Sequence, residues 1–119
     1  MASILIVEDE PDVAELVYEA LVAKGYAVTM ALGDQAALDE LDRDGCNFSA
    51  LVADINLGPG VTGFDIARKA RQLNRRIKVV YITGHGAHLS RFGVEGSVMV
   101  PKPFSASDLA DEVEALLVA

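Results

Sequence analysis

Short apolar runs alternate with segments of helical period along this chain, and that alternation restricts the fold more than any other feature. Residues 4–7 (Ile-Leu-Ile-Val) form the unbroken apolar run of a strand covered on both faces. Residues 12–23 then place Val13, Leu16, Val17, Ala20 and Leu21 on one helical face. Pro11 stands where a first-turn proline is tolerated, and Gly25 supplies a stop. Ala27–Ala31 reads as a second strand. Residues 34–43 read as a helix with Ala37, Leu38 and Leu41 inward, ending near Gly45. Residues 49–53 make a third strand, Gly58-Pro59-Gly60 break the chain, and Gly63–Leu73 is helical with Phe64, Ala67 and Ala70 inward. Residues 78–82 and 97–100 are a fourth and a short fifth strand. Ser107 is the expected N-cap of the last helix, whose buried stripe is Leu109, Val113, Leu116 and Leu117. Residues 84–96 hold four of the ten glycines. Because glycine weakens helices, the fourth helix, expected around 87–92, should be short or irregular.

Five such βα units call for parallel strands, right-handed crossovers and helices on both faces of the sheet. Pro101 cannot donate a ladder hydrogen bond, which favours an edge position for the fifth strand. The 119 residues, 51% hydrophobic and 24% charged, fit a single globular domain, with no second, output domain expected. The net charge of −8 disfavours binding to phosphate backbones, so no nucleic-acid partner is expected. No apolar run approaches the roughly 18 residues of a membrane span, and the first strand is too short for a secretory core. The lone Cys46 has no internal disulfide partner. It is expected partly buried after a helix. These features suit a cytoplasmic protein without a membrane partner.

Open α/β sheets bind ligands at the carboxyl ends of their strands. There the first strand meets Glu8 and Asp9, the third Asp54, the fourth Thr83 and the fifth Lys102. Taken singly, each has a bland reading: a solvated acidic loop, a turn aspartate, a Thr-Gly turn, a loop lysine between two prolines. Taken together they make a chemical set. Carboxylates suit Mg²⁺, which binds through one or two of them and bridges to phosphate. A carboxylate can accept a phosphoryl group as nucleophile. Phosphoryl transfer needs mainly positioning and charge neutralisation, which a lysine and a metal ion supply.

The motifs 4–10 (ILIVEDE), 51–57 (LVADINL), 81–84 (YITG) and 102–104 (KPF) resemble those of response-regulator receiver domains of two-component signalling, over nearly the whole chain. The resemblance implies a flavodoxin-like doubly wound sheet of order 2-1-3-4-5. It implies that Asp54 is the phosphoacceptor. Asp9, Asp54 and the backbone carbonyl of Asn56 would ligate Mg²⁺, with Glu8 acting through water. Lys102 would contact the phosphoryl oxygens, Thr83 would swing towards them on activation, and the Lys102-Pro103 bond would be cis. A histidine kinase or histidine phosphotransfer protein would donate the group. Output would be a protein–protein contact or a role as phosphate sink, without turnover of an external substrate. The chain departs from the common pattern in three places. Met99 stands where an aromatic residue often reports the active state, the stretch between Thr83 and Lys102 is about three residues shorter than the common pattern, and the loop after Asp54 is one residue longer.

Two other readings remain open on the sequence. A small phosphatase with an aspartyl nucleophile would want a second acid two residues on, where this chain has Asn56. A phosphorylation-independent binding module would have no need of Glu8, Asp9, Asp54, Thr83 and Lys102 together. His85 and His88 have metal-ligand spacing but no convincing further ligand. Six of the ten Lys and Arg residues fall within 68–78, a solvated helix face or a surface for an acidic partner.

Overall fold

A computed structural model of the protein describes residues 2–58, 60–84 and 91–118. Five strands, β1 (Ser3–Val7), β2 (Ala27–Ala31), β3 (Ala50–Asp54), β4 (Lys78–Thr83) and β5 (Val98–Pro101), form one parallel sheet of order β2-β1-β3-β4-β5. Helices α1 (Pro11–Ala23) and α4 (Ala106–Val118) cover one face. Helices α2 (Asp34–Asp44) and α3 (Gly63–Leu73) cover the other.

The alternation of side chains along each strand divides the core in two. Ile4, Ile6, Ala50, Val52, Val80 and Ile82 meet α1 and α4. Leu5, Val7, Leu51, Ala53, Val79 and Tyr81 meet α2 and α3. The three central strands are buried on both faces, which is why they read as unbroken apolar runs. Strand β5 lies at the edge as Pro101 required, with Pro101 opposite Thr83.

Local expectations fail at a few positions. Helix α1 buries Ala14, Val17 and Leu21 and leaves Leu16 59% exposed. Its stripe is centred one position away from the larger side chain, and small Ala14 allows close approach to the sheet. Helix α4 begins at Ala106, so Ser105 rather than Ser107 is its N-cap. The Ser105 hydroxyl accepts from the Asp108 N–H at 3.3 Å, and its carbonyl accepts the first helical bond from Leu109 at 2.9 Å. Cys46 is exposed, because the 3₁₀ turn Gly45–Asn47 after α2 points it outward. Strands β3, β4 and β5 each run one residue further than expected, so Asp54 and Thr83 are the last residues of their strands. The helix expected around 87–92 and the pair His85 and His88 fall largely or wholly outside the described residues.

Candidate functional site

The carboxyl ends of the central strands bring Glu8, Asp54 and Lys102 together. Glu8 follows β1 and is fully buried, and Asp54 at the end of β3 is 3% exposed. Lys102 follows β5 and reaches back over the sheet, with its Nζ 2.8 Å from Asp54 Oδ2, 3.6 Å from Glu10 Oε1 and 3.9 Å from Glu8 Oε2. Its own N–H donates to the Thr83 carbonyl at 2.7 Å, and the next bond, Lys102-Pro103, is cis as expected. The other Asp54 oxygen, Oδ1, accepts from the Asn56 N–H at 2.9 Å. A cavity of about 240 Å³ opens over this group, lined by Asp9, Glu10, Asp54, Asn56, Gly58 and Lys102, among others.

The β3–α3 loop sets the position of Asp54. Gly63, the first residue of α3, donates to the Ile55 carbonyl at 3.0 Å and sits against the strand end. A Cβ at residue 63 would lie 2.3 Å from the Asp54 carbonyl oxygen, so a side chain has no room there. Gly58 turns the loop with φ +87°. Thr62 then starts α3 in a capping box with Asp65.

The electrostatics are those of crowded carboxylates with one ammonium. Burial, followed by a shared hydrogen bond and repulsion with Asp54, pushes the Glu8 pKa up to about 8; the Glu10 N–H and Lys102 oppose the shift. At neutral pH Glu8 therefore holds a proton in the metal-free protein. Its Oε2 is the buried side-chain oxygen left without a hydrogen-bond partner among the described residues. Burial alone would lower the Lys102 pKa, but its bond to Asp54 and the attraction of Asp54, Glu8 and Glu10 outweigh that and raise it. Lysine therefore stays charged here.

One carboxylate oxygen each of Glu8, Asp9 and Glu10 lie within 4.8 Å of one another. This set is chemically suited to a hard divalent cation, and the stranded Glu8 oxygen is the feature such a cation with its water shell would satisfy. Glu10 was not singled out from the sequence, although it is the third acid in the run 8–10. Its side chain is 64% exposed at the mouth of the cavity. Thr83, 5% exposed, closes β4, but its side chain does not line the cavity. Alternation places it on the α2/α3 side with Tyr81. Met99 lies on that side too, packed against the same core. No residue of the basic stretch 68–78 lines this cavity. Arg68 pairs with Asp65, Lys69 with Asp42 at 2.6 Å, and Arg71 donates to the Ile77 carbonyl at 2.8 Å.

This fold is found in known proteins. A family model described as the response regulator receiver domain matches residues 4–114. The response regulator receiver protein CpdR of Brucella abortus is 31% identical over 100% of this chain and 99% of its own length. Other curated relatives are matched over about half their length. A response regulator receiver protein from Sinorhizobium medicae has a crystal structure with TM-score 0.92 and 30% identity, covering 99% of this chain and 95% of its own. TrrA of Thermotoga maritima, whose crystal structure is a complex with Mg²⁺ and BeF, matches with TM-score 0.80 and 28% identity over 98% and 99% of the two chains. The chain belongs to the response-regulator receiver family.

Proposed function

We propose that this receiver accepts a phosphoryl group on Asp54 from a phosphohistidine donor, and that the phosphorylated form is its signalling state. The observation that carries the reading is the Asp54 carboxylate itself. It is almost wholly buried, with Lys102 Nζ 2.8 Å from one oxygen, the Asn56 N–H on the other, and a cavity of about 240 Å³ beside it. A carboxylate held in one orientation at the floor of an open cavity is placed to attack. An Asp54 oxygen forms the bond to phosphorus as the phosphorus–nitrogen bond of the donor breaks, and the electron pair returns to the imidazole, which takes a proton. Lys102 turns from the carboxylate to the phosphoryl oxygens, whose charge it balances. Thr83 reaches the same oxygens only by a side-chain rotation from its present buried position.

The residues fit a Mg²⁺ ion. Asp9, Asp54 and the carbonyl of Asn56, residues that line one cavity, would hold it, with Glu8 acting through water; that the related TrrA forms a Mg²⁺ complex supports a Mg²⁺ ion here. When bound, the ion supplies positive charge against the carboxylates and the incoming phosphoryl oxygens. The donor is a histidine kinase or a histidine phosphotransfer protein. The phosphorylated domain signals by protein contact or drains phosphate from its donor, and it turns over no external substrate. Incubation with acetyl phosphate and Mg²⁺, followed by intact-mass measurement, tests the reading. One added phosphoryl group is expected on the wild type and none on Asp54→Asn; equal labelling of both would overturn it.

A further inference from the structure

Tyr81 is the one large aromatic side chain of the central strands, fully buried, with no part in the chemistry above. Its position connects three things. Alternation along β4 sets it on the same face as Thr83, two residues nearer the strand's start. Its ring packs on Phe64 in the first turn of α3, with centroids 5.0 Å apart and planes inclined at 56°, and Phe64 in turn meets Phe92 edge-on at 6.2 Å. Its hydroxyl oxygen accepts the N–H of Val94 at 3.1 Å, tying down the turn that feeds β5. Tyr81 is also paired across the ladder with Met99.

A phenol is rarely buried for apolar packing alone, since a phenylalanine would fill the same space without a polar atom to satisfy. Here the hydroxyl accepts a backbone N–H in the adjoining turn, 13 positions along the chain. The contact is with main chain, so it survives changes of side chain at residue 94. Phe92, beside it, is 49% exposed, with the Arg91 guanidinium 4.9 Å over its ring. The surface end of the aromatic series Tyr81–Phe64–Phe92 is therefore available to a partner, while its inner end lies on the same face of β4 as Thr83, two residues away.

We infer that Tyr81 is the positioning residue that couples Thr83 to the turn at residues 91–97, through its hydroxyl bond to Val94 and its ring contact with Phe64. The inference rests on the reading of Asp54 as phosphoacceptor. When Thr83 rotates towards the phosphoryl oxygens it uncovers the β4 face above the Tyr81 ring. The ring shifts into that space, and its hydroxyl carries Val94 with it. The unbranched Met99 alongside adapts to either position. An aromatic side chain on β4 thus performs a coupling for which β5 has none.

Hydrogen exchange of residues 91–97, with and without beryllofluoride and Mg²⁺, tests this on the whole chain in three forms: wild type, Tyr81→Phe and Met99→Leu. Loss of the hydroxyl should speed exchange around Val94 by about fivefold to tenfold in the ligand-free Tyr81→Phe protein. The beryllofluoride-dependent change at 91–97 should be present in wild type and Met99→Leu and absent in Tyr81→Phe, while all three take up phosphoryl groups from acetyl phosphate at similar rates. An equal change in wild type and Tyr81→Phe would overturn the coupling and leave the Asp54 reading intact, as would its loss in Met99→Leu alone. A wild type that takes up neither beryllofluoride nor phosphoryl groups would remove the Asp54 reading and the coupling with it.

Discussion

The two ends of the same five strands are built on opposite terms. At the amino end the polar groups are paired. Asn74 donates to the Phe48 carbonyl at 2.7 Å and the Cys46 carbonyl at 3.4 Å, and accepts from the Arg76 N–H at 3.0 Å. Arg71 closes the turn onto Ile77, and the surrounding charge is basic. At the carboxyl end a buried Glu8 is pressed against Asp54, its Oε2 has no partner, and a single ammonium faces three carboxylates. One end spends its hydrogen bonds on closure. The other holds charges apart from their preferred state, the usual condition of a site waiting for a cation and an anion. Binding at the second end should therefore stabilise the fold, and alterations at the first should leave the chemistry alone.

The largest effect is expected where the carboxyl end meets the packed interior. Gly63→Ala should cost about 3 kcal/mol or more, because its Cβ meets the Asp54 backbone, which cannot yield without moving the strand end. Denaturant unfolding checks this, and a cost below about 1 kcal/mol would mean the loop simply shifts.

Next comes pH. The native Glu8 pKa is about 8 against an ordinary 4.5. Between those values the folded protein holds a proton that the unfolded chain releases, so metal-free stability should fall as pH rises through that window. The slope is bounded by about 1.4 kcal/mol per pH unit, and the loss should accumulate across the whole window. Melts at stepped pH in Glu8→Gln should lose this slope and show a smaller stabilisation by Mg²⁺, since an ion that binds only the native state raises the midpoint by mass action. An unaltered slope would place the titration elsewhere.

Asn74→Ala probes the paired end. Two carbonyls lose their donor, so about 1–2 kcal/mol should be lost with phosphoryl uptake unchanged. A change in uptake would show that the two ends are not independent. Arg76→Ala, an exposed cation beside Asn74, should stay within about 0.5 kcal/mol of wild type.

What the sequence made legible follows the same division. The strands, their parallel order and the residues at their carboxyl ends could be read because burial on two faces leaves unbroken apolar runs and because ligand chemistry is confined to one rim. Side-chain placements were harder. Leu16 matches the helical period of α1 but faces solvent, since the choice between adjacent stripes depends on how closely Ala14 lets the helix approach. Ser105 and Ser107 are equally good caps by composition, and only the chain path after Pro103 selects the first. Glu10 looked like one more loop acid, because its contact with Lys102 spans 92 residues of sequence. The role of Tyr81 was not legible, because nothing local announces that its hydroxyl will meet Val94.

The central claim is that the carboxylate of Asp54 takes the phosphoryl group. Sodium borohydride reduces an aspartyl phosphate to homoserine, so protein treated with acetyl phosphate and Mg²⁺, reduced and digested, reports the acceptor directly by peptide mass spectrometry. Homoserine is expected at residue 54 alone, and only when both donor and Mg²⁺ were present. Homoserine at residue 9, or an unmodified residue 54 in protein that carries the added mass, would contradict the account.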